Sequence, residues 1–142
     1  MPQHGPVLAE DAYVPPHRIL QRGLERDPDG MAFGSLLTTK SWRNLDEAST
    51  RYARNLLALG LKPGDRVASL MPNRVALLVH YLGCLKARLV ATPLNYRYMA
   101  PEIDHALEVS GASILLSHVE RAEDLAKSKL AGKLPLGRIS YA

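Results

Sequence analysis

Apolar residues recur along this chain at two alternating periods. From His17 to Arg26 the apolar side is set by Ile19, Leu20 and Leu24, which predicts a helix. Asp27-Pro28-Asp29-Gly30 reads as a turn, because proline presets φ and glycine permits positive φ. Met31 to Leu37 reads as a strand that Thr38-Thr39-Lys40 turns back into Ser41-Trp42-Arg43. The clearest helix is Asn44 to Leu59, with Leu45, Ala48, Tyr52, Leu56 and Leu59 at three-four spacing. Asn44 is its expected cap, with Glu47 three residues on, and Gly60 its expected stop. After the Pro63-Gly64 turn come a strand at Arg66 to Met71, a helix capped by Asn73 running to Ala87, and a strand at Leu89 to Leu94. That strand is apolar on both parities, which predicts burial on both faces. Glu102 to Ser110 reads as a helix stopped by Gly111, Ser113 to Leu116 as a strand, and Ser117 or His118 as the cap of a last helix to Lys129.

From Arg66 onward strand and helix alternate. That order predicts an α/β fold of parallel βαβ units with helices on both faces of the sheet. The helix 73–87 carries Val75, Leu77, Leu78, Val79, Tyr81, Leu82, Cys84 and Leu85 around its whole circumference. A helix apolar all round needs cover on every side. The expectation is that part of this cover comes from outside the chain, most simply from a homodimer joined through exposed apolar surface.

Composition adds limits. The 142 residues suit one folded unit, and 46% hydrophobic with 23% charged is ordinary for a globular chain. Residues 1–16 hold four prolines and no apolar period, so an extended coil is expected there, with the folded α/β part over 17–142. The net charge of +4 is scattered. Arg18, Arg22 and Arg26 would share one helix face, but no nucleic-acid motif accompanies them, so a solvated face is expected and no nucleic-acid partner. One cysteine, Cys84, excludes an internal disulfide and fits a reducing, cytoplasmic setting. No apolar run approaches the ~18 residues of a membrane span.

The usual catalytic constellations are missing from these residues. No glycine-rich phosphate fingerprint and no zinc spacing occur. His80 and Cys84, four apart on a helix, offer two ligands at most, so no metal site is expected. Cys84 lies late in an apolar helix, where a thiol is inert rather than nucleophilic. Glu102, Asp104, His105 and Glu108 read as a solvated helix face. The informative run is Pro93-Leu94-Asn95-Tyr96-Arg97-Tyr98, directly after a strand. Ligands of open α/β sheets bind beyond the carboxyl ends of strands. A guanidinium there either grips a phosphate or makes a structural ion pair, and both readings of Arg97 stand.

These residues also carry a resemblance. Gly64-Asp65-Arg66-Val67-Ala68 with Met71-Pro72-Asn73 resembles the "GDRVA…PN" stretch of the AMP-forming acyl-CoA synthetases, the acyl- and aryl-CoA ligase branch of the adenylate-forming enzymes. Leu85-Lys86-Ala87 with Pro93 to Tyr98 resembles their "KAG…PLNxRx" block, and Pro101-Glu102-Ile103 to Ser110-Gly111-Ala112 their following helix and turn. Trp42 to Leu56 is similar to their opening helix. The resemblance spans residues 17–118 and departs at Arg88, where the family has glycine, and at Met99, where it often has threonine. It implies a subdomain of the large N-terminal domain of those enzymes, and a full-length protein that uses ATP, Mg²⁺ and CoA. It places Arg97 on the nucleotide phosphate of CoA. The family's ATP phosphate loop, acidic ribose and Mg²⁺ residues and C-terminal lysine match nothing in this chain. The expectation is therefore no catalytic residue and no bound cofactor here, an inactive isolated chain, and the remainder of the enzyme as its partner. The alternative is a stand-alone, non-catalytic binding module on the same scaffold.

Overall fold

The computed structural model describes residues 14–142. The expected coil over 1–16 thus lies outside the described residues up to position 13, and Pro16 already opens a short 3-10 turn, Pro16–Arg18. The first helix, α1, is shorter than its apolar pattern implies, Gln21–Arg26. Arg18 therefore sits outside it, and the expected three-arginine stripe is not one helix face. Leu20 is buried but Ile19 is 59% exposed. Strands β1 (Met31–Gly34) and β2 (Thr39–Ser41) form an antiparallel hairpin. β1 stops early because Leu36 and Leu37 sit in the hairpin loop, where the Ser35 hydroxyl accepts from the amides of Leu37 and Thr38.

Helix α2 is Trp42–Ala58, two residues longer at its start than expected. Its cap is Ser41, not Asn44: Ser41 Oγ accepts from Asn44 N–H and Asn44 Oδ1 accepts from Ser41 N–H, both at 3.1 Å. Four parallel strands follow, β3 (Arg66–Leu70), β4 (Val90–Pro93), β5 (Ile114–His118) and β6 (Arg138–Tyr141), in the order β4-β3-β5-β6. β3 pairs parallel with both β4 and β5. β4 is not buried on both faces. It is a sheet edge with Val90 45% exposed, and the buried members of its apolar run, Leu89 and Leu94, flank the strand. β6 gave no signal in the sequence, because Arg-Ile-Ser-Tyr is short and half polar.

Helix α3 (Val75–Lys86) leads from β3 to β4, α4 (Ala100–Ser110) from β4 to β5, and α5 (Ala122–Lys127) follows β5. Alternate residues of the inner strands feed two cores, as the period of two requires. Val67, Met71, Ile114 and Leu116 pack with Ala53 and Leu56 of α2 and Cys84 of α3. Ala68, Leu70 and Leu115 pack on the other face with Ile103 and Leu107 of α4 and Leu125 of α5. The helices thus lie on both faces of the sheet.

A third cluster explains the all-round apolarity of α3. Val75, Leu78, Val79 and Leu82 pack against Leu20 just before α1, Leu24 of α1, Phe33 of β1, and Trp42 and Leu45 of α2. α3 therefore takes outer neighbours from its own chain, with Val75, Leu77, Leu78, Val79 and Tyr81 half-buried and Leu85 39% exposed.

Two helix ends bear on the family departures. Asn73 does not cap α3; Arg74 holds that position with no side-chain bond. After α3, Arg88 adopts φ 58°, with Leu89 N–H reaching Cys84 C=O and Arg88 N–H reaching Leu85 C=O. This is the Schellman arrangement that glycine usually serves, and a side chain there costs ~1–2 kcal/mol. At α4, Met99 offers no oxygen to cap with, but Glu102 Oε2 accepts from Met99 N–H at 2.8 Å. Gly111 ends that helix at φ 62°.

Candidate functional site

The connection from β3 goes to one side through α3 on one face; the connection from β4 returns past β3 through α4 on the other. The two chains therefore part at the carboxyl ends of β3 and β5, the place where open α/β sheets hold ligands. Beside it a cleft of ≈ 380 Å³ runs between Ser69 of β3 with Met71 to Asn73 after it, Leu77 and Tyr81 of α3, and Pro93 of β4 with Leu94 to Arg97 after it.

Arg97 stands at this cleft on a local turn. Its backbone N–H donates to Asn95 Oδ1 at 3.0 Å and Tyr98 N–H donates to Asn95 C=O at 3.0 Å. Asparagine favours such turns because its side chain mimics a backbone acceptor. The Arg97 side chain is exposed, and its guanidinium has no partner among the described residues. Ser69 on the cleft wall is 1% exposed, and its hydroxyl is also without a partner among them.

A polar network joins the strand ends. Glu120 accepts from Tyr96 OH at 2.6 Å and from Arg74 Nη2 at 3.1 Å. The hydrogen bond from Tyr96 first, and that from Arg74 next, hold its carboxyl below the usual carboxylate range. The same bond to Glu120 pushes the Tyr96 phenol up. His118 Nδ1 accepts from Glu120 N–H at 3.2 Å, so His118 caps a 3-10 turn at Val119–Arg121 and not the last helix, α5, which starts at Ala122 without a side-chain cap and ends at Lys127, short of the expected Lys129. Its ring meets Tyr141 edge-on at 5.1 Å, and its Nε2 lies 3.4 Å from Arg74 Nη1. Sequence reasoning singled out Arg97 and missed Ser69, Arg74, Glu120 and Arg121. The signal available was position, since all four lie at or just past the ends of β3 and β5.

The other sequence candidates separate. His80 and Cys84 are buried between α2 and α3. His80 Nδ1 bonds Tyr52 OH at 2.6 Å and lies 3.8 Å from Cys84 Sγ. Burial lowers the imidazole pKa to about 4 and pushes the thiol up to about 12, so neither is charged at neutral pH. The Glu102 cluster is not one solvated face. Asp104 accepts from Ser128 Oγ and from the amides of Lys129 and Leu130, tying α4 to the turn after α5, while His105 and Glu108 are exposed. Among the described residues no group of three or more His, Cys, Asp and Glu is placed to hold a metal ion, and no helix is long and apolar enough to cross a membrane.

The fold is an α/β segment with a parallel sheet and a cleft at the carboxyl ends of its strands. The family description "AMP-binding enzyme" matches residues 20–140, and the chain belongs to that family. A feruloyl-CoA synthase of Amycolatopsis is 43% identical over 108 residues, which cover 74% of this chain and 22% of that protein. A long-chain-fatty-acid–CoA ligase of Escherichia coli O157:H7 is 35% identical over 99 residues, 69% of this chain and 18% of that protein. A solved fatty acyl CoA synthetase of Mycobacterium tuberculosis superposes with a TM-score of 0.81 at 27% identity, covering 89% of this chain and 26% of that one. The chain thus spans about a fifth of the length of the curated relatives it matches.

Proposed function

We propose that this chain is the N-terminal part of an acyl-CoA synthetase, and that Arg97 contributes to binding the nucleotide phosphate of CoA. In the whole enzyme a carboxylate attacks the α-phosphate of ATP to give an acyl adenylate and pyrophosphate, and the CoA thiolate then displaces AMP. Mg²⁺ would neutralise phosphate charge during the first step. The observation that carries the reading is an unpartnered guanidinium on an ordered turn beyond a parallel strand, in a chain of this family. An arginine fork suits a phosphate, and binding one does not cost Arg97 an existing ion pair.

The two relatives named above are by name a feruloyl-CoA synthase and a long-chain-fatty-acid–CoA ligase, yet each matches more than two thirds of this chain. That supports a role here shared by both rather than selection of the acid. The isolated chain is proposed to be inactive. ATP–pyrophosphate exchange with a panel of carboxylic acids should stay at background, and exchange that depends on the purified chain would contradict this. The experiment for Arg97 is titration of the full-length enzyme with adenosine 3′,5′-bisphosphate, the phosphorylated end of CoA. Arg97→Ala should weaken binding about tenfold or more, the scale of a lost charge-assisted bond. Equal binding by both proteins would remove Arg97 from the site.

The second reading, a stand-alone binding module, is favoured by one observation: α3 takes outer neighbours from the chain itself. Cytoplasmic location rests on the single buried free thiol. A homodimer through exposed apolar surface is the expected partner arrangement, and sedimentation at high concentration tests it.

A further inference from the structure

The loop that carries Arg97 is held from outside the cleft by two consecutive residues just past β5. Glu120 accepts from the Tyr96 hydroxyl at 2.6 Å. Arg121 Nη2 donates to the carbonyl of Tyr98, and its guanidinium carbon lies 5.4 Å from the centre of the Tyr96 ring. Asp124 anchors Arg121 in turn at 3.0 Å, with both side chains largely covered. The residues on either side of Arg97 are thus fixed, while Arg97 itself is left without a partner among the described residues. Glu120 also accepts from Arg74 at 3.1 Å. Arg74 directly precedes α3, whose Leu77 and Tyr81 line the facing wall of the cleft. One carboxylate therefore ties the two walls together.

This tie is not needed to build the sheet. β5 is an inner strand paired with β3 and β6, and its core contacts lie on the two faces of the sheet. Glu120 itself is 47% exposed and joins no apolar cluster. What the contacts fix is the separation of the Asn95–Tyr98 loop from the start of α3, and fixing a binding loop beforehand removes an ordering cost from ligand binding.

We infer that Glu120, seconded by Arg121, is a positioning residue that presets the Arg97 loop against the start of α3 for a phosphorylated nucleotide. The inference rests on the reading of Arg97 as a phosphate ligand.

The test compares wild type, Arg97→Ala, Glu120→Gln and Tyr96→Phe in the full-length enzyme, titrated with adenosine 3′,5′-bisphosphate. The sign discriminates. Removing a negative charge beside an anion site should by itself tighten binding, whereas loosening the loop should weaken it. Glu120→Gln and Tyr96→Phe are expected each to weaken binding about two- to fivefold, the range for exposed polar pairs. The amide resonances of Arg97 and Tyr98 should shift in both variants while those of β3 and β5 stay in place. Unchanged or tighter binding in Glu120→Gln, with Tyr96→Phe unchanged, overturns the positioning role and leaves Arg97 standing if Arg97→Ala has lost affinity. No binding by the folded wild type overturns the Arg97 reading and the positioning role with it. Unfolding of both loop variants would show Glu120 to be structural and also overturn the inference.

Discussion

Two clusters in this molecule combine a histidine with a tyrosine, and their surroundings set them apart. Between α2 and α3, His80 is fully buried, bonded to Tyr52 and beside Cys84, with Nε2 lacking any partner among the described residues. At the strand ends, His118 meets Tyr141, Arg74 and Glu120 at the margin of solvent. The first cluster has the residue types of a reactive site, yet burial holds its imidazole neutral and its thiol protonated. The second has charged groups, a neighbouring cleft and an arginine without a partner among the described residues. Position relative to the sheet, not residue type, separates the packing device from the candidate site.

The largest effect expected from breaking this contrast lies in the buried cluster. A Cβ added at Gly83 would stand 2.3 Å from Tyr52 Cδ1 and 3.2 Å from Ser49 C=O, where α2 and α3 meet. Tyr52 has little room to yield because His80 holds its hydroxyl. Gly83→Val should cost about 3 kcal/mol or more in chemical denaturation. A near-neutral result would mean that α2 and α3 are loosely packed.

Acid should act next on the same cluster. His80 has a folded pKa near 4, below its ordinary 6.5. Between these values the unfolded chain binds the proton more readily, so stability falls as pH drops from about 6.5 to about 4 and is complete above that window. Urea unfolding from pH 7 to pH 4 should show this slope, and His80→Gln should flatten it. An equal slope in both proteins would move the acid sensitivity elsewhere. The smallest effects compare two hydroxyls directly. Tyr52→Phe leaves buried His80 Nδ1 with only the Cys84 sulfur at 3.8 Å and should cost ~1–2 kcal/mol. Tyr96→Phe removes an exposed bond and should change stability by less than about 0.5 kcal/mol. Equal costs would erase the distinction between the two clusters.

Much of this was legible in the sequence because it rests on period and punctuation. The strands from Arg66 and Ile114 alternate between two cores, and Gly60 and Gly111 take the positive φ that ends their helices. Arg88 stands out by sequence and again by its φ of 58°. What was hidden depended on the third dimension. β4 reads as buried because Leu89 and Leu94 bracket it, yet it is an edge. The outer neighbours of α3 come from residues thirty or more positions earlier, which no local pattern reveals. The cap of α2 shifted from Asn44 to Ser41 because both residues join one capping box and only geometry orders them. Arg97 was visible from its place after a strand, whereas Glu120 and Ser69 gain meaning only when β5 lies beside β3.

The central claim is that the ligand chemistry of this segment sits in the strand-end cleft and not among the buried histidine and cysteine. Titrating the ¹⁵N-labelled full-length enzyme with CoA while following the amides of this segment tests it most directly. Shifts are expected at Ser69, Asn73 and Asn95 to Arg97, with Tyr52, His80 and Cys84 unmoved. The largest shifts at His80 and Cys84, or in the separate hollow of ≈ 420 Å³ between Gly23 and Trp42, would contradict it.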